Sequence, residues 1–182
     1  MRGMSAPVSD LVRHHATGFL DPRHSKPVEE LRSRWDPVMA SQIASHVTLV
    51  YPEEVPDSAN LERLAAAAAA STPPFAITLG PAFFKGSPAA GVFLHVHDPD
   101  NGIGSFRAQV VPPGRAVDFP PHVTIVHPGT SGLGQQAWQQ LVSTRIDGQF
   151  TITCVAITAF SGDRWQTLRR LPLCEHRPPG TS

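Results

Sequence analysis

Apolar and polar residues alternate in two short runs, His46-Val47-Thr48-Leu49-Val50 and His122-Val123-Thr124-Ile125-Val126, and a proline closes each, at Pro52 and Pro128. A period of two among β-branched residues predicts a strand buried on one face. His46 and Thr48 share a face, as do His122 and Thr124, while Val47, Leu49, Val123 and Ile125 turn the other way into a core. Behind the first run, Asp57 or Ser58 caps a predicted helix from Leu61 to Ala70, rich in small, strong helix formers. Behind the second, Gln135 to Val142 occupies the equivalent place. Two further strands follow in each copy, about Phe75 to Ala82 and Gly91 to Val96, then Gln149 to Phe160 and Arg164 to Leu171. Val28 to Trp35 reads as a helix ended by Asp36-Pro37, Asp98 to Val111 has room for a short one, and Pro112-Pro113-Gly114 marks a turn.

The two runs extend to "HVTLVYP" and "HVTIVHP", which agree at five of seven positions and lie 76 residues apart. Slid along itself by nearly that spacing, the chain sets Phe75-Ala76-Ile77-Thr78-Leu79 against Phe150-Thr151-Ile152-Thr153-Cys154, Phe84 against Phe160 and Gly86 against Gly162. An internal repeat follows, an α+β arrangement in which β-α-β-β is written twice. The expected organisation is a flexible arm over 1–27, one domain over 28–177 with lobes at about 41–97 and 117–173, and a loose tail over 178–182.

At 182 residues the chain is long enough to bury a core without disulfides or a metal. Its formal charge of zero argues against a long duplex nucleic acid as partner, because such binding neutralises many phosphates. Cys154 and Cys174 have no metal-ligand spacing and read as reduced thiols, pointing to the cytoplasm. No apolar run in residues 1–27 reaches the length of a signal or membrane segment, so neither secretion nor a membrane is expected. A monomer is expected.

Two polar-faced strands brought together by a pseudo-twofold would surround a small anion with two imidazoles and two hydroxyls. Phosphoester cleavage needs one proton taken from the attacking oxygen and one given to the leaving oxygen, and two histidines, titrating near neutrality, do both. Thr48 and Thr124 then donate to the non-bridging phosphate oxygens. The scheme requires no metal or other cofactor.

The paired H-V-T-L and H-V-T-I resemble the H-x-T-x signatures of the two-histidine (2H) phosphoesterase superfamily, which includes bacterial RNA 2′,3′-cyclic phosphodiesterases, historically called 2′-5′ RNA ligases. Leu31-Arg32-Ser33-Arg34-Trp35-Asp36-Pro37 ahead of "SHVTLVYPE" is similar to the entry helix of many such proteins, and "FPPHVTIVHP" to their second motif. The resemblance covers about residues 28 to 173. It implies a bilobal fold, two βαββ lobes with antiparallel sheets facing a central groove, with His46 and His122 as the acid–base pair and Thr48 and Thr124 as phosphate-oxygen donors. The implied substrate is a nucleotide or short RNA end with a cyclic phosphate. One departure is His127, where these phosphodiesterases often carry an arginine; a fixed cation is replaced by a titratable one.

Further candidates for substrate contact are Tyr51, Phe84, Lys85, His95, Arg115 and His127. Tyr51, Phe83 and Phe84 are able to stack a base or to fill core, and Lys85 and Arg115 to meet a phosphate or only solvent. His95 and His97 alternate on a predicted strand, which also fits a metal-dependent hydrolase, although no carboxylate or thiol joins them at ligand spacing. The same motifs are compatible with RNA ligation through a 2′-5′ bond, with a non-catalytic nucleotide-binding module and with a small-molecule biosynthetic phosphodiesterase.

Overall fold

The two alternating runs become neighbouring strands at the middle of a single antiparallel sheet in the computed structural model, which describes residues 12–86, 90–161 and 164–174. In chain order the elements are β1 (Arg13–Phe19), α1 (Lys26–Trp35), α2 (Pro37–Gln42), β2 (His46–Val50), α3 (Ser58–Ala69), β3 (Phe75–Lys85), β4 (Gly91–His97), α4 (Gly102–Val110), β5 (His122–Val126), α5 (Gly134–Leu141), β6 (Gln149–Ile152), β7 (Cys154–Ser161) and β8 (Arg164–Pro172). The strand order is β6-β3-β4-β5-β2-β1-β7-β8, so four strands lie on each side of the β5–β2 seam. One register pair, Val47 with Val123, joins the halves.

The repeat is visible in hydrogen-bond register. On β1 and β2, Ala16 pairs with Val50, Thr17 with Thr48, Gly18 with Val47 and Phe19 with His46. On β4 and β5, Val92 pairs with Val126, Phe93 with Thr124, Leu94 with Val123 and His95 with His122. Each of these pairs is its counterpart moved by the motif spacing, and a register irregularity falls after the first pair in both halves.

Three expectations are corrected by this topology. Arg13–Phe19, assigned to a flexible arm, is an interior strand bonded to β2 and β7; its His15-Thr17-Phe19 alternation supplies one face. Residues 1–11 and 175–182, including the expected tail, lie outside the described residues. The lobes are not 41–97 and 117–173: β4, which follows the first motif, pairs with the strand of the second and carries β3 with it, and β7 and β8 complete the half that holds the first. A sequence repeat reports which segments are equivalent, not which are neighbours, and strand exchange between the halves leaves no local mark. Finally, the expected strand over Gln149–Phe160 breaks at Thr153 into β6 and β7, which serve opposite halves, and Gln149-Phe150-Thr151-Ile152 is hydrogen-bonded to Phe75-Ala76-Ile77-Thr78.

Helices cover the apolar side of the sheet. The Asp57 carboxylate accepts from the Asn60 N–H to start α3, and Leu61, Ala65, Ala68 and Ala69 form its buried stripe. Small residues let this helix lie close on β1, β7 and β8. α4 starts at Asn101 in the left-handed region (φ 52°), with the Asp98 carboxylate accepting from the N–H groups of Gly102 and Ile103. Val47, Leu49, Val123 and Ile125 are fully buried on this side, as the alternation requires, leaving the opposite face for chemistry.

Candidate active site

Val47 faces Val123 across the seam, so the register sets His46 opposite Thr124 and Thr48 opposite His122 on the open face. Directly opposite Cβ atoms in such a pair stand about 5 Å apart and diagonal neighbours about 7–8 Å. The two histidines occupy the diagonal, a span suited to a phosphate held between them. All four side chains line one cavity of about 490 Å³.

Each histidine is held in the same way. Nδ1 of His46 lies 2.8 Å from the Ala44 carbonyl oxygen, and Nδ1 of His122 lies 2.9 Å from that of Pro120. A carbonyl only accepts, so Nδ1 carries the proton in both rings and Nε2 is the nitrogen left for a substrate. Burial brings the His46 pKa down to about 4, against the Ala44 hydrogen bond that favours the cation, with Arg32 and His122 adding repulsion. Burial likewise lowers that of His122, opposed by the Pro120 bond, with Lys85, His95 and His127 disfavouring charge. With both pKa values lowered, the pair is neutral near pH 7. An anion between the rings would favour protonation of one of them.

Buried carboxylates fix the loops that carry these parts. Glu54 accepts from the N–H groups of Tyr51 (2.9 Å) and Val117 (2.8 Å) and from both terminal nitrogens of Arg107, tying the end of β2 to the segment that leads to Pro120 and His122. In the other half, Asp36 accepts from the His127 N–H (2.9 Å), the Thr130 hydroxyl (2.6 Å) and the Met39 N–H (3.0 Å). Arg32, 1% exposed, donates to Glu29 (2.8 Å) and to the Ile43 carbonyl (2.7 Å), while Glu29 accepts from the Ser45 N–H. Ala44, the anchor of His46, is thus held from both sides.

Among the other candidates, Tyr51, Lys85 and His127 line the cavity. Burial drives the Tyr51 hydroxyl pKa up, so it stays a neutral donor. Nδ1 of His127 accepts from the Gly129 N–H at 3.0 Å, the reverse of the motif histidines, and burial lowers its pKa against the pull of Asp36. Lys85 stands 3.9 Å over the Phe119 ring. His95 is the cross-strand partner of His122, but its ring stacks on Phe83 at 4.2 Å and it does not line the cavity. Phe84 belongs to the opposite face of β3, packed against the core and Trp138 of α5 at 5.9 Å, because consecutive strand residues alternate sides. Arg115 donates to the Glu53 carbonyl at 3.0 Å and is exposed away from the cavity. His97 lines a separate cleft, and no group of three or more His, Cys, Asp or Glu side chains gathers among the described residues.

The cavity also contains residues that were not among the site candidates read from the sequence: Arg13 and His15 of β1, Gln42 of α2, Phe119, Phe160 and Trp165. His15 packs on Trp165 at 4.8 Å, and burial brings its pKa down to about 4. The His15-Thr17-Phe19 alternation was the available signal for β1. Phe119 sits in the second motif, three residues before His122, whereas nothing local marks Trp165 as a cavity residue, since pairing between distant strands puts it there.

The family model of the 2′-5′ RNA ligase superfamily matches residues 20–164. Among solved structures, the chain is similar to E. coli LigT in its apo form, at 21% identity and a TM-score of 0.58 over 90% of this chain and 98% of that one. It is also similar to the TT0787 protein of Thermus thermophilus, at 15% identity and 0.56 over 91% and 100%. These likenesses carry the two-lobed α+β fold. No curated protein matches in sequence.

Proposed function

The chain belongs to the 2′-5′ RNA ligase superfamily of 2H phosphoesterases, and from that premise we propose that it is a metal-independent phosphodiesterase opening a 2′,3′-cyclic phosphate on a nucleotide or short RNA end. The observation that carries this reading is the symmetric pair of histidines, each with Nδ1 on a carbonyl two residues back and Nε2 free. One Nε2, neutral, takes a proton from water as its oxygen attacks phosphorus; the other, as imidazolium, gives its proton to the departing ribose oxygen, leaving a phosphomonoester. Thr48 and Thr124 donate to the non-bridging oxygens, and the diagonal arrangement sets attacking and leaving oxygens on opposite sides of phosphorus. Crystal structures of E. coli LigT hold 3′-AMP, NADP+ and ATP, which supports a nucleotide ligand, and 3′-AMP is the kind of phosphomonoester such ring opening releases.

The test is a panel of 2′,3′-cyclic nucleotides with and without EDTA. Turnover indifferent to chelator, and lowered about a hundredfold or more in His46→Ala and in His122→Ala, is the expected result. An active His122→Ala enzyme overturns the mechanism, chelator-sensitive turnover moves it to a metal, and tight nucleotide binding without turnover makes the protein a binding module.

A further inference from the structure

The two halves of the sheet are alike in register but not in what covers their open faces. In the half built from β4 and β3, Phe119 folds onto Phe93 at 5.5 Å and onto His122 at 4.3 Å, with Phe83 and His95 stacked beside them, so aromatic rings fill the surface. In the half built from β1, β7 and β8, Trp165 packs on His15 at 4.8 Å and on Phe160 at 5.2 Å, and the surface beyond Trp165 is hollowed. A cleft of about 320 Å³ begins there, sharing Gln42 and Trp165 with the catalytic cavity and running on to Phe19 and Arg170. Arg170 is exposed, with its guanidinium 5.5 Å over the Phe19 ring. The side-chain oxygen of Gln42, buried where the two spaces meet, has no hydrogen-bond partner among the described residues.

We propose that this cleft receives the second nucleotide of a single-stranded RNA end whose terminal phosphate lies between His46 and His122. This rests on the phosphodiesterase reading for the position of that phosphate. The chemistry of the cleft matches one nucleotide unit. Trp165 and Phe19 offer flat apolar faces to a base, Arg170 offers a forked cation to the bridging phosphate, and the unpaired Gln42 oxygen accepts from a ribose hydroxyl or a base N–H. Direction follows as well: with the β4 side filled by Phe119, the rest of the strand leaves over β1 and β8.

The test compares kcat/KM for a dinucleotide 2′,3′-cyclic phosphate with that for the mononucleotide, in the full chain and in Arg170→Gln. One stacked base predicts a preference of about tenfold or more for the dinucleotide, and R170Q brings that ratio towards one while Arg170→Lys restores part of it. A wild-type ratio of one, or an R170Q effect equal on both substrates, overturns the subsite and leaves the chemistry standing. If neither substrate turns over, the catalytic reading fails instead, and calorimetric titration with dinucleotide and mononucleotide 3′-phosphates decides the cleft. Tighter binding of the dinucleotide, lost in R170Q, supports it; equal binding overturns it.

Discussion

Glu54 is 1% exposed, and its carboxylate is the meeting point of Tyr51, Val117 and Arg107. In Glu54→Ala, Arg107 keeps only the Leu49 carbonyl as acceptor (2.7 Å), and two backbone N–H groups lose theirs. Removing one partner of a buried ion pair costs about 3–5 kcal/mol. The Arg107 side chain is 20% exposed, so water reaches it and the lower end, about 3 kcal/mol, is the expectation. With a urea slope of about 2 kcal/mol/M, the midpoint falls by about 1.5 M. Glu54→Gln keeps an acceptor for the N–H groups and loses the charge, so its cost is smaller, about 1–2 kcal/mol. Urea denaturation followed by tryptophan fluorescence measures both, and a cycle with Arg107→Met should return a coupling of about 2 kcal/mol. A Glu54→Ala midpoint within about 0.3 M of wild type would refute the reasoning. The folded Glu54→Gln protein should also lose kcat, since the tether steadies the segment whose Pro120 carbonyl holds His122.

Acid should loosen the fold in a defined window. His15 and His46 have pKa values near 4 against 6.5 when unfolded, so between those values the unfolded chain binds more protons; stability is full above pH 6.5 and falls as pH drops towards 4, at up to about 1.4 kcal/mol per unit for each group. Urea midpoints unchanged between pH 7 and 5 would contradict this. Both motif histidines being lowered, the bell of kcat/KM should peak on the acid side of pH 6.5, and an alkaline optimum would mean that other groups set the rate. Gly134→Ala sets a Cβ 2.0 Å from the Ala90 carbonyl oxygen, backbone that cannot step aside, and should cost about 1–3 kcal/mol in thermal or urea melts. Thr48→Ala and Thr124→Ala should each reduce kcat less than loss of a histidine does, as measured on the same cyclic nucleotides.

The floor of the candidate site was legible because everything that places it is local. His46, Thr48, His122 and Thr124 fall on one face by strand period alone, and the spacing between the copies is kept through both motif strands and the partner strand of each. The walls were not legible, because they are made by strands that meet at large sequence separation. Trp165 comes beside His15 only through the β1–β7–β8 pairing. Phe84 and Lys85 show the limit from the other direction: either was a plausible substrate contact, and only the register of β3 against β4 decides that Lys85 faces the groove and Phe84 the core.

The exchange of strands between halves bears on how the molecule comes to exist. Neither motif strand has all its neighbours from its own stretch of chain: β5 rests beside β4, whereas the sheet beyond β2 and β1 waits for β7 and β8. Pairing of His15 with Thr158 closes a loop of more than a hundred residues, and contacts so far apart in sequence are slow to form. During synthesis the first motif emerges early but stays without half of its sheet until β7 has left the ribosome. A chain cut within α5 would keep both histidines and the β3–β4 side of the groove but lack the side made by β7 and β8, so a complete groove would arrive in one late step rather than accumulate as the protein grows.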